Sequence, residues 1–126
     1  MNKSHAAVAI GVLASALACA ALADTTPEIS VQASRVVKKD AGTTYNGIPL
    51  KSISLSYEVS YTGLDLSSVA GAAELERRVN NAADAVCKEV GRQYPDSTPS
   101  NEDCAKQSAN RAMVKVHQLV SAAAKK

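Results

Sequence analysis

The 126-residue sequence carries 14 Lys+Arg against 12 Asp+Glu, a formal net charge of +2, and its only aromatic residues are Tyr45, Tyr57, Tyr61 and Tyr94. So even a balance argues against nucleic acid as a partner, because phosphate-driven binding needs a concentrated basic surface. Without Phe or Trp, the core must come from small aliphatic side chains, each buried Ala adding little at about 25 cal/mol per Å².

The chain opens "MNKSHAAVAIGVLASALACAALAD". Lys3 and His5 give a short positive start, Ala6 to Ala18 form an apolar run, and Ala21-Leu22-Ala23 is a small-x-small cleavage pattern before Asp24. This predicts a signal peptide over residues 1–23, cleaved between Ala23 and Asp24, with a run too short for a membrane span. Acylation at Cys19 is the rival reading, but Ala16-Leu17-Ala18 lacks the large apolar residue expected three positions upstream. Removing residues 1–23 from the 126 leaves 103 residues, enough for one domain over residues 24–126.

Residues 28–39, "EISVQASRVVKK", alternate loosely and predict a strand with Ile29, Val31, Ala33 and Val37 on one face. "DAGTTYNGIP" is a loop, with Asn46-Gly47 as a turn inside it. "SISLSYEVSY", residues 52–61, follows the period of two without a slip. It predicts a second strand, with Ile53, Leu55, Tyr57, Val59 and Tyr61 on a buried face and the serines with Glu58 on a solvated one.

A helix follows, with Ser67 or Ser68 as N-cap and Leu66 as a hydrophobic staple. Its inner sector is Ala72, Leu75, Val79, Ala82, Ala83, Val86 and Val90, while Glu74, Arg77, Arg78, Asn81, Asp84 and Lys88 face away. Glu74→Arg78 and Asp84→Lys88 are i,i+4 pairs, Glu76 sits at the sector's edge, and Gly91 is the expected terminator. After a loop with two prolines, Ser100-Asn101-Glu102-Asp103 resembles a capping box opening a second helix. The inner stripe of that helix runs through Ala105, Ala109, Ala112, Met113, Val116, Leu119, Val120 and Ala123.

Two cysteines remain after cleavage, Cys87 and Cys104. An even count in an exported chain reads as a disulfide, stabilising by roughly 3 kcal/mol for a loop of this size. A metal pair or a catalytic thiol would need more His or Cys nearby, and the mature chain has only His117. The sixteen residues between the cysteines also differ from a redox C-x-x-C pair. The bridge would close the mouth of an antiparallel helical hairpin.

Catalytic chemistry has little to draw on. A nucleophile needs a base and an orienting group, and His117 flanks an apolar helix stripe. One histidine with two oxidised cysteines makes no convincing zinc site. Glu102, Asp103 and Asp96 lack the regular spacing of an oxygen-ligand cation loop, and the first two serve a helix N-terminus equally well. Arg77-Arg78 could dock an acidic partner or anionic lipid, but Glu74 balances them into a solvated face. No cofactor motif is present, and the expectation is no enzyme, no cofactor and no metal.

The stretch from Asn46 to Val90, followed by Tyr94-Pro95 and "DCAKQSANRAM", resembles the UrcA family of small exported bacterial proteins. The shared pattern is Val59 and Tyr61, Leu64 to Ser67, Gly71-Ala72, Leu75, Arg77-Arg78, Cys87 late in the helix and Cys104 opening the next. It covers about residues 46–120, leaving residues 24–45 outside. The resemblance implies a signal peptide, a periplasmic or envelope location and a paired-cysteine domain, and brings no catalytic or ligand-binding residues.

The expected fold is α+β, in the order β-β-α-α. A small antiparallel sheet of two or more strands packs against a helical hairpin stapled by Cys87–Cys104. Two strands alone are marginal, so a further strand or self-association across an edge would complete the sheet. The expected function is non-enzymatic, by protein interaction in the cell envelope, the protein being periplasmic or secreted. The alternative is a small-molecule or metal-ion carrier or sensor, using the Tyr57/Tyr61 region or the acidic loop.

Overall fold

The computed structural model describes residues 26–38 and 50–126. The leader, Cys19, the Ala23-Asp24 junction and the Asn46-Gly47 turn lie outside the described residues. Four elements follow in order: β1 (Glu28–Lys38), β2 (Leu50–Ser60), α1 (Val69–Gln93) and α2 (Asn101–Ala124). This is the α+β arrangement the sequence predicts.

β1 and β2 pair antiparallel in an unbroken register from Glu28↔Ser60 to Lys38↔Leu50. Tyr61 N–H extends the ladder onto the Pro27 carbonyl at 2.9 Å, so odd-numbered residues form the hydrogen-bonded pairs. Even-numbered residues therefore turn their backbone groups toward the two outer edges. Val36 confirms the phase: its N–H and C=O face away from β2 and bond Thr98 at 2.8 and 2.9 Å. That single bridge stands in place of a third strand.

α1 begins where Ser68 Oγ accepts from the Gly71 N–H at 3.0 Å, satisfying a first-turn donor. Ahead of it, Asp65 Oδ1 accepts from the Ser67 N–H at 3.0 Å and from Ser67 Oγ. The Asp65 carbonyl lies so close to the helix that a Cβ at residue 71 would collide with it. Only glycine admits that approach. Leu66 is buried beside this turn, in the place expected of a staple.

The inner face of α1 buries Leu75, Val79, Ala83, Val86, Cys87 and Val90. The helix does not stop at Gly91 but runs on to Gln93, with the Tyr94 N–H closing onto the Val90 carbonyl at 2.8 Å. Gly91 serves packing instead of termination, as the site geometry shows.

α2 starts with Ser100 Oγ accepting from the Asp103 N–H at 3.2 Å. The Asp103 carboxylate accepts from Ser100 Oγ, rather than reaching the Ser100 backbone as a capping box does. Cys104, Ser108, Ala109, Ala112 and Val116 form its buried stripe.

α1 lies over both strands, whereas α2 touches β1 and not β2. The consequence corrects the expectation of one buried face along β2. Of its inner row only Val59 is buried; Ile53 and Leu55 are half-buried and Tyr57 is 37% exposed. On β1, covered by two helices, Ile29, Val31, Ala33 and Arg35 are all buried.

Candidate functional site

Two features outside the ordinary core stand out, a buried cation and an uncovered strand edge. Arg35 continues the inward row of Ile29, Val31 and Ala33, and it is only 4% exposed. Its guanidinium meets oxygens instead of a carboxylate. Nη1 donates to Asn101 Oδ1 at 2.5 Å and to the Cys87 carbonyl at 3.3 Å, and Nη2 donates to the Ser97 carbonyl at 2.8 Å. Nε is buried without a partner among the described residues. A charge taken out of water is costly unless its donors are matched, and here neutral dipoles match Nη1 and Nη2 while Nε goes unmatched among the described residues.

All three acceptors belong to the segment closed by the disulfide. Cys87 and Cys104 are bonded with an S–S distance of 2.04 Å and Cα atoms 5.8 Å apart, and both are buried. Arg35 thus plugs a covalent ring of chain from residue 87 to residue 104. Gly91 lies under the plug. A Cβ there would stand 2.8 Å from Arg35 Nη1 and would overlap Asn101 Oδ1.

The second feature is the outer edge of β2. Ser52, Ser54, Ser56 and Glu58 direct their N–H and C=O groups away from β1, and the described hydrogen bonds give these groups no partner. At Ser60 the edge closes, because Arg78 Nη1 donates to the Ser60 carbonyl at 3.0 Å. The inner row along the open run is the half-exposed Ile53, Leu55 and Tyr57. Sheet edges in soluble proteins are ordinarily blunted by Lys, Pro or a bulge. Between Ser52 and Tyr57 the sequence has neither Lys nor Pro, and the register has no bulge. β1's edge differs: Thr98 pairs Val36, and Arg111 Nη2 donates to the Gln32 carbonyl at 3.3 Å.

Charges on the helix surfaces are paired locally. Glu74 accepts from Arg77 Nε and Nη2 at 2.9 and 2.8 Å and from Arg78 Nε at 2.8 Å. Hydrogen bonds from Arg77 and then Arg78 lower its carboxyl to about 2. Glu74 thus offsets one of the two positive charges of Arg77-Arg78, and Arg78 also ties α1 to the end of β2. Lys88 meets Asp84 at 2.6 Å and Lys106 meets Glu102 at 2.8 Å. Asp96 and His117 are exposed, and Glu76 is half-buried at the margin of the α1 stripe. Among the described residues, no three His, Cys, Asp or Glu side chains gather as metal ligands, and no helix is long and apolar enough to cross a membrane.

At the far end of the hairpin, a hollow of about 470 Å³ opens between Tyr61, Leu64, Leu66, Leu119 and Ala123. Its lining is mostly aliphatic, with Asp65, Ser67 and Lys126 as its polar members besides Tyr61.

Sequence reasoning found Cys87 and Cys104 but not Arg35 or the bareness of β2. For Arg35 a signal existed: it shares the parity of Ile29, Val31, Ala33 and Val37. No protein-family model matches the chain, and no curated protein or solved structure is significantly similar to it.

Proposed function

We propose that this chain is an exported, UrcA-like protein that acts in the cell envelope by pairing β2 with another polypeptide, without catalysing a reaction. The observation that carries this reading is the open run from Ser52 to Glu58. It combines backbone donors and acceptors that have no partners among the described residues with a half-exposed row of Ile53, Leu55 and Tyr57. Strand addition at a sheet edge uses just these two assets: main-chain hydrogen bonds for affinity and alternate side chains for selectivity.

Export is supported by the Lys3-to-Ala23 leader pattern and by a bonded cysteine pair, which persists in oxidising compartments. The residues that carry the UrcA resemblance act here as one physical unit. Leu64 to Ser67 form the turn before α1, and Gly71 admits the Asp65 carbonyl. Arg78 caps the strand end beyond Val59. A photoreactive residue at Ser56, activated in the native envelope, tests the reading. Polypeptide adducts at Ser56, absent when the label stands on exposed Gln107 of α2, are the expected result; equal or absent labelling at both sites overturns it.

A second reading, a carrier for a small apolar ligand, draws on the hollow beside Tyr61. Its volume of about 470 Å³ is of the size that drug-sized molecules occupy. A ligand screen that leaves the melting temperature unmoved would sink this alternative.

A further inference from the structure

We infer that the polypeptide received by β2 is a second copy of the same chain, its β2 running antiparallel and centred on Leu55, so that two sheets join into one of four strands. The inference rests on the β2-edge reading and adds the identity of the partner. Three observations lead to it.

The first is where the open run stops. Arg78 occupies the Ser60 carbonyl, so the usable edge ends at Glu58, and the run from Ser52 to Glu58 is centred on Leu55. A twofold axis there sets Ser52 opposite the partner's Glu58 and Ser54 opposite the partner's Ser56. These even-numbered residues are those whose backbone groups already face outward, so every exposed donor finds an acceptor. A register shifted toward Ser60 competes with Arg78, and one shifted toward Leu50 sets Lys51 rather than Ile53 opposite the partner's Tyr57.

The second is the inner row. The same register opposes Leu55 with the partner's Leu55 and Ile53 with the partner's Tyr57. The three inner side chains that α2 leaves uncovered become cross-strand neighbours, which is the unit of stabilisation in a sheet.

The third is charge. The Glu28/Glu58 end of the sheet is acidic and the Lys38/Lys51 end is basic, all four residues being exposed. Antiparallel self-pairing brings the acidic end of one copy toward the basic end of the other and opposes no like charges. A parallel arrangement would align them.

The test uses the exported, oxidised protein. Sedimentation equilibrium from 1 to 100 μM, about the range of a modest self-association, should show twice the monomer mass for the unaltered chain. Ser54→Pro should halve that mass while keeping the circular dichroism spectrum, since the Ser54 N–H faces the outer edge and an edge strand accepts proline there. Leu55→Cys should give a covalent dimer, because Cα atoms across a non-hydrogen-bonded pair lie about 4.5 Å apart, within disulfide reach. Ser52→Cys, far from the axis, should not. A monomer mass throughout, a dimer untouched by Ser54→Pro, or equal cross-linking of both cysteine variants overturns the inference. A monomer whose Ser56 label still captures a different polypeptide sinks self-pairing and leaves the β2-edge reading standing; a monomer with no adduct removes both.

Discussion

Arg35 and Asn101 meet across 66 residues of sequence, joining the inner face of β1 to the first turn of α2. The contact holds in place a guanidinium that also carries the carbonyls of Cys87 and Ser97. Hydrogen bonds to charged donors contribute about 1.5–3 kcal/mol each, and a buried acceptor left bare costs about 1–3 kcal/mol. Arg35→Ala should therefore lower the unfolding free energy by about 3 kcal/mol. Urea unfolding measures this directly, and a change under about 0.5 kcal/mol would mean the brace is idle.

Gly71 offers a prediction whose sign runs against helix propensity. In an ordinary helix interior, Gly→Ala adds about 1 kcal/mol of stability. Here the new methyl group would occupy the space of the Asp65 carbonyl, and overpacking costs about 1–3 kcal/mol. Gly71→Ala should unfold at lower urea concentration than the unaltered protein, and an increase would refute the close approach.

Reduction of Cys87–Cys104 should remove about 3 kcal/mol. For a domain of this size that corresponds to a fall in melting temperature of about 15 °C. Because Arg35 bonds within the ring the disulfide closes, the two losses should not add. Arg35→Ala combined with Cys87→Ser/Cys104→Ser is expected to cost less than the sum of the separate changes, a double-mutant cycle read by urea unfolding.

Glu74 sets an acid limit on the α1 surface. Its carboxyl is lowered from an ordinary 4.5 to about 2 by Arg77 and Arg78. A depressed carboxyl stabilises the fold above its unfolded value, and that contribution is lost as pH falls from about 4.5 through about 2. Glu74→Gln should melt below the unaltered protein at pH 7, by a small margin because the group is solvated. The two melting curves should converge at about pH 2. A gap that persists unchanged at that pH would assign the difference to something other than ionisation.

The elements themselves were legible because each has a period. Ile53 to Tyr61 alternates by two, and Leu75, Val79, Val86 and Val90 recur by helical turns, so the order β-β-α-α and the inward faces follow. Ser68, Ser100 and the cysteine pair carry local chemistry that spacing exposes. The role of Arg35 is not legible because its acceptors are two backbone carbonyls and one side-chain amide, and backbone carbonyls leave no mark in a sequence. Gly91 misled for the same reason. Its lack of a side chain answers Asn101 and Arg35, not a helix end. The half-exposure of Leu55 and Tyr57 depends on α2 settling over β1 alone. Periodicity tells which face of a strand seeks cover, but not whether a neighbour arrives to give it.

The ring from Cys87 to Cys104 has a consequence for how the molecule is made. Its closure assembles the oxygens that Arg35 requires, and a seated Arg35 in turn holds the two cysteine-bearing helices together. Where thiols stay reduced, the chain lacks one half of this mutual support and remains easier to unfold. Such a chain gains its full resilience only once Cys87 and Cys104 are oxidised to the bridge. The same pair of residues that makes the finished protein durable thus leaves the unfinished one pliable, and chemistry outside the protein decides when the change occurs.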